Sequence, residues 1–306
     1  MNRIGRLNPA IAAVLFAATL WGTLGIYYDV VNRSVDVDQL TVVTLRGVGA
    51  TVVLVLWWGW RDRSVFRVER HDIPAFVVMG LVSVAAFYVF LIYAFVWTSV
   101  AVGTLLLYTA PAFVTLGASL FLGERVTRIR LAALGMSFAG CALVVEIHQP
   151  GSVSGNIKGV AIGLAAALCY ASYSLIAKPM LVRYRSHTVQ TMHMVFGALA
   201  LLMIKLVVSP TVWPPLAATL ILALVGGILL SVIPVALYTF GLTHLPSSDA
   251  SILATWEPVV AVFLAVLVLD ERLGLIQSIG AGLVVLAVII LGRAMPSKRL
   301  PVIVEP

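Results

Sequence analysis

Charge is what this sequence has least of: its 306 residues include 20 Lys and Arg and 13 Asp and Glu, 11% in all, against 61% hydrophobic residues. Soluble domains carry about 25% charged residues, so this chain cannot clothe itself for water. Cysteine is almost missing too. Cys141 and Cys169 both fall inside apolar runs, which leaves no CxxC pair, zinc spacing or disulfide framework and reads as ordinary helix packing. GxSxG, HExxH, a Walker loop and a dinucleotide fingerprint are all absent, so no catalytic set, metal site, cofactor or ATP-driven step is expected. The net charge of +7 arises from short basic clusters between apolar runs and forms no continuous basic face, which argues against nucleic acid as a partner.

Long apolar sequence is what the chain has in abundance. Runs near 9–30, 39–60, 73–96, 98–121, 128–147, 158–180, 188–208, 214–242, 248–269 and 273–293 read as ten transmembrane spans. The first follows Arg3 and Arg6 as a signal peptide would, but it is too long and lacks a small-residue cleavage site, so it reads as a retained span. Trp57, Trp58 and Trp60 close the second span as an interfacial anchor. With the N-terminus inside, 15 Lys and Arg fall in inside segments, at 3–6, 61–70, 125–130, 178–185 and 293–299; only Arg33, Lys158, Lys205 and Arg272 fall outside. That asymmetry predicts a multi-pass protein of a cell inner membrane with both termini cytoplasmic.

The chain also repeats itself. Pro111 to Glu124 and Pro258 to Glu271 have the same 13-residue spacing, at an offset of 147, and the same register pairs Gly80 with Gly227 and Tyr93-Ala94 with Phe240-Gly241. One residue away, Ala17-Ala18-Thr19-Leu20 matches Ala165-Ala166-Ala167-Leu168. The expected organisation is a first five-helix repeat over 1–147, a linker at 148–157, a second repeat over 158–293 and a cytoplasmic tail at 294–306. Five is odd, so the second repeat must enter the membrane from the opposite side. The fold class is therefore an all-α membrane protein, ten transmembrane helices as two inverted five-helix repeats, an arrangement that places a substrate site at mid-depth between the halves.

Leu20-Trp21-Gly22, Pro111 with Leu122-Gly123-Glu124-Arg125, Glu257-Pro258 with Asp270-Glu271-Arg272, and Gln277-Ser278-Ile279-Gly280-Ala281 together resemble the drug/metabolite transporter superfamily in its EamA branch. The resemblance covers about 9–293, with Asp270 standing where the family often has Gly. It implies a central cavity formed by the first, third, fourth, sixth, eighth and ninth helices, and outward movement of small metabolites, often amino acids.

Polar residues inside the spans are the candidates for the site. Thr104, Tyr108 and Pro111 share one helical face in the fourth span, and Ser251, Thr255 and Pro258 share the matching face in the ninth. Their hydroxyls can replace part of a substrate's hydration shell or simply bond their own helix; the prolines suit gating or plain kinking. Trp21, Tyr28, Tyr88, Tyr170, Tyr173, Ser174 and Tyr238 supply an aromatic and hydroxyl wall. Glu257, costly in a span, is expected to couple transport to a proton or to meet a substrate amine, against a structural role suggested by Ala250, Ala254 and Ala261 on its face. Arg46, about seven residues into its span and shallow enough to snorkel, is expected to anchor the helix or to form an ion pair, with Glu257 as its possible counterpart, and His193 is expected to be a packed polar residue. Glu124 and Glu271, beside Arg125 and Arg272 at span ends, read as local charge pairs or as helix termination.

A secondary exporter of small organic metabolites, amino acids foremost, working by alternating access is the reading these residues favour. Its rivals are an importer and a membrane-embedded enzyme of lipid intermediates, which would gather its titratable groups at one interface. A small-molecule substrate and the lipid bilayer are the expected partners; the oligomeric state is not encoded in any motif.

Overall fold

The computed structural model describes residues 8–146, 157–209, 213–269 and 274–294. Arg3 and Arg6, most of the 148–157 linker, Asp270, Glu271, Arg272 and the tail beyond 294 lie outside the described residues. Among the described residues every regular element is helical. A chain this apolar has little choice, because lipid offers no partner to a backbone N–H or C=O and only a helix satisfies both within one segment. Among the described residues, nine helical segments are long and apolar enough to cross a membrane: α1 (Pro9–Ser34), α2 (Gln39–Arg61), α3 (Arg70–Trp97), α4 (Val100–Phe121), α6 (Ile157–Arg183), α7 (Ser186–Val208), α8 (Leu216–His244), α9 (Ser247–Val268) and α10 (Leu275–Ala294). Between α4 and α6 lies α5 (Arg128–Val144), a 17-residue helix packed along α10.

Short polar residues start these helices by covering first-turn amides. Asn8 accepts from Ala10 N–H at 3.0 Å with Pro9 in the first turn, Asp38 from Thr41 N–H at 2.8 Å, Ser99 from Val102 N–H at 3.2 Å and Thr127 from Arg130 N–H at 3.2 Å. α4 stops at Gly123, whose φ of +67° lets the Glu124 N–H return to the Ala118 carbonyl at 3.1 Å. Observed boundaries fall within several residues of the expected spans.

The halves share their irregularities as well as their sequence. α4 breaks at Tyr108-Thr109 just ahead of Pro111, and α9 breaks at Thr255-Trp256 just ahead of Pro258. Each break is closed by a threonine bonding back three residues, Thr109 to Leu106 and Thr255 to Ile252, both at 2.6 Å. α3 widens into π-helical turns over Leu81–Ala86, and α8 does so over Leu222–Gly226 and Ile228–Val232, the last being the 147-residue counterpart of the first. Close packing obeys the same offset. A Cβ on Gly80 would sit 2.5 Å from the Gly197 nitrogen, and one on Gly227 would sit 2.7 Å from the Ala50 nitrogen. Shifting each residue by 147 into the other half turns 80 into 227 and 197 back into 50, so α3 meets α7 as α8 meets α2. Likewise α3 and α4 pack on α6 as α8 and α9 pack on α1.

Ion pairs join the halves at one end, where 62–72, 122–130, 183–185 and 245–249 meet. Arg130 Nε lies 2.6 Å from Asp249, Arg183 reaches Asp72 at 2.7 Å and Glu69 at 3.2 Å, and Arg185 reaches Asp62 at 3.4 Å. Two serine hydrogen bonds hold Asp62 below the usual carboxylate range, helped by the Arg185 and His187 charges. Glu124 belongs to this end and corrects the expectation of a local pair with Arg125. Its oxygens accept from Ser247 N–H at 2.6 Å, Ser248 N–H at 3.2 Å and Ser248 Oγ at 2.7 Å, so it caps the amino end of α9 from the other half. At the opposite end the Lys205 ammonium is 3.3 Å from Asp38.

Candidate functional site

A cavity of about 100 Å³ lies between the halves, walled by α1, α2, α3, α6, α7 and α8. Trp21 and Tyr238 form one aromatic corner with ring centres 5.7 Å apart, and Phe87 lies 5.3 Å from Tyr170 and 4.7 Å from Tyr88. Hydroxyls tie this wall together within the second half, between α6 and α8. Ser174 and Tyr238 are 2.9 Å apart, and Tyr173 bonds Thr239. The widened turns of α3 and α8 bring Ser83 and Ser231 to the same space. Carbonyls that such turns release need new donors, and Gln190 supplies one to Val232 at 2.6 Å.

His193 is buried, packs on Tyr173 with ring centres 4.5 Å apart and faces Ser83 at 3.0 Å, so it is the packed polar residue expected, and it lines the cavity as well. Ser83 gives its one hydroxyl proton to the Met79 carbonyl at 2.5 Å, hence it accepts from His193 Nε2–H. Nδ1 of His193 is left a buried acceptor with no partner among the described residues.

Arg46 departs from expectation most. It does not snorkel to the headgroups: it is 2% exposed and lines the cavity. Its guanidinium donates to the Tyr88 hydroxyl, lies 3.4 Å from that of Tyr28, and sits 5.2 Å from the Tyr88 ring centre. Counting residues from the start of α2 gives its depth, but not the two tyrosines that α1 and α3 bring over it and that make burial tolerable.

Of the candidate residues, Trp21, Tyr88, Tyr170, Tyr173, Ser174 and Tyr238 are brought together around the cavity, and Tyr28 adjoins it through Arg46. Thr104, Tyr108, Pro111, Ser251, Thr255, Glu257 and Pro258 are not among its lining. Ser251 bonds the Ser248 carbonyl at 2.9 Å and Thr255 the Ile252 carbonyl, so both hydroxyls serve their own helix. Glu257 opens the second part of α9, its carbonyl against Gly22, close enough to Tyr108, Tyr170 and Cys141 for its charge to act on them. Tyr170 is thus shared, with Glu257 near it and the cavity touching it. Arg46, His193 and Ser83 were missed as lining. The signal for Arg46 was available, since an intramembrane charge marks function by default.

The model of the EamA-like transporter family matches residues 8–146 and again 157–293. An uncharacterized transporter of Archaeoglobus fulgidus is 27% identical over 92% of this chain and 96% of its own length. A protein named "Probable terminal-alkyne amino-acid exporter" in Streptantibioticus cattleyicolor is 25% identical over 96% and 97%, and the uncharacterized inner membrane transporter YicL of Salmonella typhimurium is 23% identical over 97% and 98%. One solved crystal structure, 20% identical, superposes with a TM-score of 0.79 over 92% of this chain and 95% of that one, and so shares the fold.

Proposed function

The chain belongs to the EamA-like transporter family, and from that premise we propose that it is a secondary transporter exporting small organic metabolites, amino acids foremost, across a cell inner membrane. Two relatives support the finer reading, one by its name as an amino-acid exporter and one by its name as an inner membrane transporter. The observation that carries it is the aromatic and hydroxyl-lined cavity between the halves, fed by both of them. Such a wall grips a small polar molecule without fixing many charges.

Parity supports reading the chain as ten crossings in two inverted repeats. Arg130 at the start of α5 meets Asp249 at the start of α9. If α6, α7 and α8 alone crossed between them, the two would lie on opposite faces; with α5 crossing too, they share one. The exchange of contacts under the 147-residue offset supports the same inverted symmetry. Lys and Arg crowd the latched end, which supports a cytoplasmic position for it and for both termini. Alternating access is then a rocking of the halves about the cavity, with the breaks before Pro111 and Pro258 as hinges and the ion pairs at the cytoplasmic end as the closed gate. Glu257 carries the coupling proton, and Thr104, Tyr108, Ser251 and Thr255 join the path as the halves rock.

Uptake of labelled amino acids into proteoliposomes of the purified chain, with and without an imposed pH gradient, tests this reading. Counterflow above protein-free vesicles is expected. Rates equal to those of empty vesicles for every amino acid tried would remove amino acids as the cargo.

A further inference from the structure

We propose that Arg46, with the hydroxyls of Tyr28 and Tyr88, docks a single carboxylate of the transported molecule, which makes the cargo an organic acid or amino acid; this rests on the transporter reading above. The basis is a charge without a counter-charge. Among the described residues, other largely buried cations have a carboxylate or backbone carbonyls as partners. Arg130 has Asp249, Lys205 has Asp38, and Lys178 donates to the Leu242 and Leu245 carbonyls at 2.5 and 2.7 Å. Arg46, among the most buried of them, has two neutral phenols and no acidic side chain in ion-pair reach among the described residues. Its Nε is buried and without a hydrogen-bond partner among the described residues. A guanidinium cannot shed its proton to escape this cost, so the described residues leave the site open to an anion that a cargo molecule can supply.

The geometry favours a carboxylate. Each phenol oxygen accepts from the guanidinium and keeps its own O–H to donate. Together with the Arg46 N–H groups they form a cluster of donors around one positive charge, which one carboxylate neutralises and a doubly charged phosphate would exceed. Phe87, Tyr170 and Trp21 elsewhere on the wall offer the carbon part of the molecule an apolar face.

Matched triads test this on the purified full-length chain by ligand-induced thermal stabilisation. Leucine, 4-methylpentanoate and isoamylamine form one triad; phenylalanine, 3-phenylpropionate and 2-phenylethylamine form the other; inorganic phosphate is a separate arm. Members that keep the carboxyl group are expected to bind and the two amines not to. Arg46→Gln should weaken the acids by roughly ten- to a hundredfold, Tyr88→Phe by less, and Arg46→Lys should retain part of the affinity. Should Arg46→Gln not fold, Arg46→Lys and Tyr88→Phe decide, since both keep most of the packing. Amines binding as tightly as acids, acid affinity unmoved in those two variants, phosphate binding in place of carboxylates, or no binding by any carboxylate would each overturn the proposal. Amines that bind and are transported would do so while sparing the transporter reading. Acids that bind through Arg46 but are never transported would spare the docking site and remove the transporter reading.

Discussion

Ser83 shows how much one hydroxyl can carry inside a membrane. It accepts from His193 while donating to Met79, and no other acceptor serves that imidazole N–H among the described residues. Ser83→Ala should therefore lower stability by about 1–3 kcal/mol, the cost of orphaning a buried donor, read as a lower Tm in detergent. Glu257 makes a different kind of claim. Glu257→Gln keeps the shape of the side chain and removes its ability to exchange a proton, so it should abolish the response of uptake to an imposed pH gradient while leaving counterflow of unlabelled for labelled substrate intact. An undiminished gradient response in a normally expressed variant would take Glu257 out of the mechanism. Residue types and spans were legible along the chain, and so was the aromatic wall. Partners distant in sequence were not: Glu124 beside Arg125 looks like a local pair, yet its oxygens go to Ser247 and Ser248, 123 and 124 residues away.

Helices in this protein are shaped as much by their glycines as by their prolines. Gly80 and Gly227 lie where α3 and α8 cross the backbones of α7 and α2, and a methyl group at Gly80 would have to displace main-chain atoms of Phe196 and Gly197. Gly80→Ala should cost about 1–3 kcal/mol, as overpacking does, with the loss again read from thermal unfolding. Gly282 of α10 is the control, because a Cβ there meets nothing within 4 Å. Its change to alanine should be neutral or stabilise by about 0.5–1 kcal/mol through the reduced freedom of the unfolded chain. Equal effects at the two sites would mean that helix propensity, and not close approach, sets the outcome. The pairing of Gly80 with Gly227 is visible in the sequence as an offset, and so are the prolines that follow the breaks in α4 and α9. The widened turns in α3 and α8 are not. They carry no sequence mark beyond apolar residues and serine, because they arise from the fit of one helix against another.

At the scale of the whole molecule, what matters is the balance between its two ends. Arg130 and Asp249, with side chains 14% and 5% exposed, form the most buried of the described ion pairs that join the halves at the end proposed to face the cytoplasm. Asp249→Asn leaves the Arg130 guanidinium half-buried without its anion, a loss of about 3–5 kcal/mol to whichever state contains the pair. If the halves rock, that loss falls on the state closed to the cytoplasm and not on the one open to it. A change of this size moves the balance by on the order of a hundredfold or more. A cysteine at Ser174, on the cavity wall, reports the change, with Cys141 and Cys169 replaced to silence the background. An impermeant thiol reagent applied to inside-out vesicles should label Ser174→Cys slowly, and far faster once Asp249→Asn is added. Arg130→Gln should act in the same direction, and Asp249→Glu much less, since it keeps the charge. Labelling from the cytoplasmic face that does not change with Asp249→Asn would mean that this pair only staples the fold and that the gate lies elsewhere.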